Sequence, residues 1–227
     1  MENKTPFGFY YLDREYIEAM HTSENTHVPN ADYEDSGRAR KFYCGPVMYQ
    51  NGVGFYVPVS HEIKESMEIP GTRSSGCTEY YGMSLRSKTG EKTGSLNFKY
   101  MIPCVNSRFL EKIDPDKTLG SFGKAQYDFC SANERRICNM VYDTYNNIVS
   151  GEYPGLTSGS VDFEAAQDEA WQHLDRVEER EEQAAKEKAV QERIAQTEKM
   201  NARFEKTKQT LSVETPQTLT NDFDRSQ

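Results

Sequence analysis

The chain has 227 residues, 36% of them hydrophobic, with a formal net charge of −9. That size and make-up predict one globular domain plus a more polar segment. A pI of about 5.1 excludes indiscriminate nucleic-acid binding but leaves room for a local basic groove. No apolar run is long enough for a membrane span, and the polar stretch Met1–Gly8 is no secretory signal. The five cysteines are odd in number and form no C-x-x-C pair. They predict free thiols in a reducing cytosol and argue against zinc. Residues 161–227 carry 16 acidic and 10 basic side chains, whereas the aromatic residues concentrate earlier. The core is therefore expected in the first part and a solvated extension after it.

Phe9–Leu12 reads as a strand, and Asp13 as the N-cap of a helix running to about Met20. His21–Gly37 is polar, with Pro29 and Gly37, and reads as a loop containing Tyr33. Arg38, Arg40 and Lys41 form a basic knot, either a solvated loop edge or a phosphate contact. Asn51-Gly52 then separates two apolar runs. Both residues tolerate positive φ, so the pair signals a two-residue hairpin turn between strands at Phe42–Tyr49 and Val53–Val59. Gly45 and Pro46 predict an edge or a bulge in the first strand. Such a hairpin closes Lys41 onto Ser60 and His61, and Lys64 follows one helical turn later if His61–Met67 is a short helix. A cation, a hydroxyl and an imidazole then share one rim, a set able to activate a hydroxyl and hold a phosphate. Taken alone, Ser60 is a strand-end serine or a helix N-cap.

Glu68–Cys77 reads as a loop, Tyr80–Leu85 and Ser95–Tyr100 as strands around a turn at Lys88–Gly94, and Met101–Val105 as a continuing apolar run. Leu119–Ser150 has helical period with an apolar face that includes Cys130, Ile137, Val141 and Ile148, and Gly151 stops it. Tyr153–Ser160 reads as a loop, and Ser160 or Asp162 caps a last helix whose Trp171 and Leu174 are expected to pack on the core. From Arg176 to about Lys208 the sequence is charged and strongly helix-forming but holds no steady heptad, which predicts an exposed helical extension. Thr210–Gln227 reads as disordered. The fold class is α+β: a small, highly bent antiparallel β-core surrounded by helices, with a long C-terminal helical extension. No serine-protease spacing, Walker loop, dinucleotide fingerprint or zincin motif is present.

Several stretches together resemble the ToxN/AbiQ family, endoribonuclease toxins of bacterial type III toxin–antitoxin systems. They are FYYLDREYI at Phe9–Ile17, VPN-ADY at Val28–Tyr33, KFYCG at Lys41–Gly45, FYVPVSHEIK at Phe55–Lys64 and LNFKYMIP at Leu96–Pro103, then weaker similarity through NIVSG to VDFEAAQDEAW. The resemblance implies a Kid/MazF-like core within a domain at residues 1–171; it does not extend to the charged helical extension at 172–209 or the disordered tail at 210–227, which are read from composition alone. It implies metal-independent cleavage of single-stranded RNA, cellular mRNA included, with a cyclic phosphate product and no cofactor. It also implies inhibition by a pseudoknotted repeat RNA antitoxin, processed by the toxin and held with it in a closed hetero-oligomeric RNA–protein ring. Phage defence by abortive infection in the cytoplasm follows, with no part for membrane or DNA. The family's site residues fall on Tyr33, Lys41, Ser60, His61 and Lys64. His61 stands where relatives carry a second hydroxyl, and Lys64 aligns after a one-residue shift. Tyr16, Arg38, Arg40, Tyr43, Lys88, Lys92 and Lys99 are expected RNA contacts, the tyrosines by stacking on bases. The competing readings are a non-catalytic RNA-binding module on the same fold and a structural partner protein that uses the C-terminal helix.

Overall fold

The Asn51-Gly52 turn forms as its residue types require, with φ of 50° at Asn51 and 84° at Gly52. It joins β2 (Tyr43–Gln50) to β3 (Val53–Ser60), and these strands occupy the centre of the sheet. A computed structural model describes residues 5–29, 41–64, 67–69 and 79–213. The remaining strands are β1 (Gly8–Leu12), β4 (Gly82–Arg86), β5 (Lys92–Asn97), β6 (Ile102–Cys104) and β7 (Leu110–Lys112). Their order is β4-β5-β3-β2-β1-β7, with β6 also pairing β3, and every pairing is antiparallel. The register of β2 against β3 shifts between Cys44 and Met48, so Gly45 and Pro46 mark a bulge.

β3 explains the bend. Gly54–Tyr56 pair with β6, whereas Val59 and Ser60 pair with β5. The two halves of one strand thus serve different neighbours. The chain crosses between them through a single 3-10 turn, Phe98–Tyr100, capped by the Asn97 side chain. Every residue of β3 except Ser60 is buried, so the strand has apolar cover on both faces and shows no alternation. Phe55 meets Tyr145 and Phe163 with ring centroids 5.7 and 5.9 Å away, while Tyr56 on the other face meets Tyr10 at 5.6 Å. Each such side chain contributes about 2–3 kcal/mol through the apolar area it removes from water.

The first helix, α1 (Arg14–Met20), is capped as expected, by Asp13 Oδ1 accepting the Tyr16 N–H at 3.0 Å. The expected single helix at 119–150 is two: α3 (Ser121–Ala132) and α4 (Glu134–Ser150), after a short α2 (Pro115–Thr118). Asn133 breaks it by leaving the helical region, with φ of −115° and ψ of 13°, while its N–H still closes α3 on the carbonyls of Phe129 and Cys130. Gly151 ends α4 in the left-handed region as its residue type suggests. A short α5 (Pro154–Thr157) lies inside the expected loop. Asp162 caps α6 (Phe163–Val213) through the N–H groups of Glu164 and Ala165, while the Ser160 hydroxyl donates to Leu156. Leu174 is buried as expected, but Trp171 is 45% exposed. His61–Lys64 are not helical, contrary to the expected helix there. Cys44, Cys104, Cys130 and Cys138 are free thiols.

The chain divides into two compact units, Met1–Arg176 and Val177–Gln227. The second is helical to Val213, so Thr210–Val213, expected to be disordered, belong to the helix; 214–227 lie outside the described residues. Every described side chain from Glu178 to Lys208 is exposed. Pairs such as Lys186–Glu182, 2.6 Å apart at i,i+4, support the helix locally. Truncation after Arg180 is expected to leave the thermal midpoint of the remainder within a few degrees, roughly, since little apolar surface is lost. Calorimetry checks this; a collapse of the midpoint would show that the removed helix stabilises the core. None of the described helices is long and apolar enough to cross a membrane.

Candidate active site

The hairpin register carries the rim. Tyr43 pairs with Pro58, and the Val59 N–H donates to the Phe42 carbonyl at 3.0 Å, so the next step along the same ladder sets Lys41 across from Ser60. On its other edge Ser60 pairs with Ser95 of β5. The Ser60 Oγ accepts the Glu62 N–H at 3.0 Å, which leaves the hydroxyl hydrogen available to donate outward. This local turn also accounts for the missing helix. Serine hydroxyls compete with helical bonding in this way. The Glu62 carbonyl is taken by the Ser95 hydroxyl at 2.8 Å, and the Lys64 carbonyl by the Ser84 hydroxyl at 3.2 Å. Side chains from β4 and β5 thus hold His61–Lys64 in open conformation along the sheet.

His61 is exposed and leans on two aromatic rings, Phe42 at 6.1 Å and Phe122 at 5.4 Å between centroids. Its Nδ1 lies 3.5 Å from Nε2 of Gln126, a fully buried residue of α3. The same Gln126 Nε2 donates to the Thr93 carbonyl at 2.5 Å, so that carbonyl fixes which end of the amide faces His61. The amide nitrogen only donates, and Nδ1 therefore accepts. That tautomer places the imidazole proton on Nε2. Nothing in the sequence singles out Gln126, because a lone glutamine on a helix reads as solvent-facing; only the approach of α3 to the β3–β5 edge assigns it this place.

Lys41 is half-buried, and removal of its ammonium from water lowers its pKa from the ordinary lysine value. Lys64 is half-buried with its Nζ 3.9 Å from the exposed Glu62 carboxylate. Lys99 lies close enough to Lys64 that, after desolvation, the second charge further lowers its pKa. Lys92 opens β5 and is half-buried, while Lys88 is paired with Asp128 at 3.3 Å.

Two expected base-stacking residues are placed elsewhere. Tyr16 is fully buried, stacked on Phe109 at 4.4 Å, with its hydroxyl donating to the Pro103 carbonyl at 3.0 Å and accepting the Val105 N–H at 3.2 Å. Tyr43 is 1% exposed inside β2. Neither face can receive a base: the periodicity of α1 and the apolar cover of β2 direct both rings into the core. Tyr33, Arg38 and Arg40 lie outside the described residues. The structure sets Lys41 across from Ser60 in the hairpin ladder, holds His61–Lys64 along the sheet directly after it, and leaves Lys99 within electrostatic reach of Lys64. A recess of about 550 Å³ lined by Asn51, Tyr145, Phe163 and Trp171 includes none of these residues.

A bent antiparallel α+β domain that gathers a hydroxyl, an imidazole and lysines on one open sheet rim has the parts of a protein that handles phosphate esters. Residues 8–172 match the family described as Toxin ToxN, type III toxin-antitoxin system, and the chain belongs to that family. Three solved structures share its fold. One comes from work on bacterial type III toxin–antitoxin systems in which a non-coding RNA pseudoknot selectively inhibits the toxin; at 19% identity it has a TM-score of 0.59 and covers 75% of this chain and 99% of its own. AbiQ, a lactococcal anti-phage endoribonuclease of the type III class, has 16% identity and a TM-score of 0.58, with coverage of 75% and 99%. The third, from a bacterial antiviral system regulated by a processed non-coding RNA, has 19% identity and a TM-score of 0.56, with coverage of 72% and 96%. No curated protein sequence matches the chain.

Proposed function

We propose that this chain is an endoribonuclease toxin that cuts single-stranded RNA, cellular mRNA included, by intramolecular attack of the ribose 2′-oxygen. The observation that supports the reading is that the hairpin register sets Lys41 across from Ser60, with His61 and Lys64 following directly, on a ToxN-family fold. In this reaction the 2′-oxygen bonds to phosphorus as the P–O5′ bond breaks. One group takes the 2′-hydroxyl proton, the leaving 5′-oxygen gains one, and the products are a 2′,3′-cyclic phosphate and a 5′-hydroxyl. Lys41 suits the first role, because burial makes its neutral amine easier to reach than that of a free lysine. The Nε2–H of the neutral His61 ring, fixed by Gln126, donates a hydrogen bond to the leaving 5′-oxygen, which then takes its proton from water. The Ser60 hydroxyl hydrogen and the Lys64 ammonium stabilise charge on the phosphorane oxygens. Tyr33 completes the set as the family's stacking or proton-relay tyrosine.

The same rim, occupied by a folded RNA, is the point of control. A pseudoknotted repeat RNA held by several toxin subunits in a closed assembly would fill it with uncut or already processed strand, and release would arm a cytoplasmic antiviral response. Lys92, Lys99, Arg38 and Arg40 are the phosphate contacts available to that RNA, with Lys88 after release from Asp128.

Purified protein incubated with single-stranded RNA in EDTA is expected to yield cyclic-phosphate and 5′-hydroxyl ends, read by end-labelling and mass spectrometry. The rate should rise with pH towards the lowered pKa of Lys41, since only its neutral form accepts a proton. Tight binding without cleavage would replace the enzyme by an RNA-binding module. A rate that falls over the same pH range would move Lys41 from the base to the charge-stabilising role.

A further inference from the structure

Lys99 is held unlike an ordinary surface lysine. Its backbone is fixed in the Phe98–Tyr100 turn, by the Asn97 side chain on its N–H and by the Val161 N–H on its carbonyl. Its Nζ lies 5.1 Å from the centre of the Tyr81 ring and 5.3 Å from that of Tyr100, and a side chain at Gly159 would begin only 3.1 Å from it. The ammonium is therefore set between two rings and against a bare stretch of backbone. Among the described residues no carboxylate pairs with it. Its nearest charged influence is another cation, Lys64 of the rim. Beyond Tyr100, the exposed His27 lies with its ring 22° from parallel at 6.3 Å, steadied by its Nε2 at 3.1 Å from the Ser158 carbonyl.

Two half-buried cations set beside each other repel, and burial removes the water that would screen them. Ring faces offset part of that cost for Lys99. They add no negative charge, and the exposed Glu62 carboxylate, 3.9 Å from Lys64, serves that lysine alone, so Lys99 has no anion of its own among the described residues. A phosphate supplies one. The flat, partly exposed surfaces of Tyr100 and His27 beside it supply what a splayed base needs, a stacking platform indifferent to sequence.

We propose that Lys99, with Tyr81, Tyr100 and His27, forms an RNA subsite beside Lys64 of the cleavage rim, which grips the phosphate flanking the scissile one and stacks the base attached to it. The inference deepens the nuclease reading and rests on it. Lys99 serves in binding, and the reacting atoms stay with Lys41, Ser60 and His61. One phosphate then lies on Lys64 and Ser60, and the next on Lys99.

The test uses the full chain and two short randomised-sequence single-stranded RNA pools, one unmodified for cleavage and one fully 2′-O-methylated for binding without turnover. Lys99→Gln is expected to weaken binding of the methylated pool about tenfold at physiological salt and to reduce the slope of log affinity against log salt by about one. Lys99→Arg restores both. Tyr100→Leu should weaken binding by about tenfold while Tyr100→Phe keeps it, since the ring and not the hydroxyl does the stacking. Should Lys99→Gln fail to fold, the two Tyr100 variants carry the test. Unchanged affinity and slope in Lys99→Gln, or equal affinity in Tyr100→Leu and Tyr100→Phe, overturns the subsite. A wild-type chain that binds with the expected salt slope and the expected variant losses but leaves the unmodified pool uncut overturns the nuclease reading and leaves the subsite standing.

Discussion

Ser60→Ala is expected to lower RNA cleavage by about a hundredfold or more and to abolish toxicity on expression, while the thermal midpoint stays near that of the wild type. The hydroxyl has two sides in this structure. Its oxygen accepts the Glu62 N–H, and its hydrogen is left to donate. Removing it therefore deletes a donor across the ladder from Lys41, and costs the fold only one local hydrogen bond, about 1 kcal/mol. Ser60→Thr keeps the donor but adds a methyl group, and serves as the conservative comparison. Cleavage assayed alongside calorimetry decides the matter: full activity in Ser60→Ala removes the hydroxyl from the mechanism, and a large loss of stability would assign it to structure.

The second large effect belongs to a residue with no side chain. Gly94→Ala is expected to destabilise the protein by about 3 kcal/mol and to remove activity with it. Gly94 has a φ of 146°, which L residues rarely adopt. A Cβ there would run into the Ser60 carbonyl and sit 2.6 Å from Gln126 Nε2. Those are the residues that present the rim hydroxyl and set the tautomer of His61. Space for the methyl group has to come from the backbone of β3 or from α3, and either shift moves the site. Gly90→Ala provides the control. It also has positive φ, at 86°, but nothing lies within 4 Å of its Cβ, so only backbone strain of about 1 kcal/mol is expected and the rim stays intact. Thermal melts and cleavage rates of the two variants should differ clearly. Equal behaviour would mean that the β3–β5 edge yields easily and that the site tolerates movement.

Both predictions depend on one short edge, β3 against β5, which also shows where sequence reasoning reaches its limit. The Asn51-Gly52 turn was legible because a two-residue loop with positive φ at both positions has few residue solutions. Turn and strand pairing together bring Lys41 to Ser60. The Asp13 cap, the bulge at Gly45-Pro46 and the Gly151 stop were legible for the same reason: each is a local event whose partners lie a few residues away. The ordered set of stretches from Phe9 to Trp171 identified the family without any contact being known.

Tertiary packing decided the rest. An apolar or aromatic residue on a helix or strand is compatible with a core or with an exposed binding face, and the chain alone does not say which. Tyr16 and Tyr43 read as stacking residues, but the sheet and the Phe109 ring enclose them. His61–Met67 reads as a helix because its residues favour one, but among His61–Lys64 the hydroxyls of Ser60, Ser84 and Ser95 take the backbone groups instead. Gln126 and the Lys99–Tyr81–Tyr100 group are separated in sequence from what they serve by tens of residues, and no periodicity links them. What the amino-acid order by itself determined is the hairpin, the caps and the family. Which rings are free to meet a ligand, which nitrogen of His61 carries the proton and which lysine has no acid beside it among the described residues depend on contacts between distant segments, and those exist only once the chain has folded.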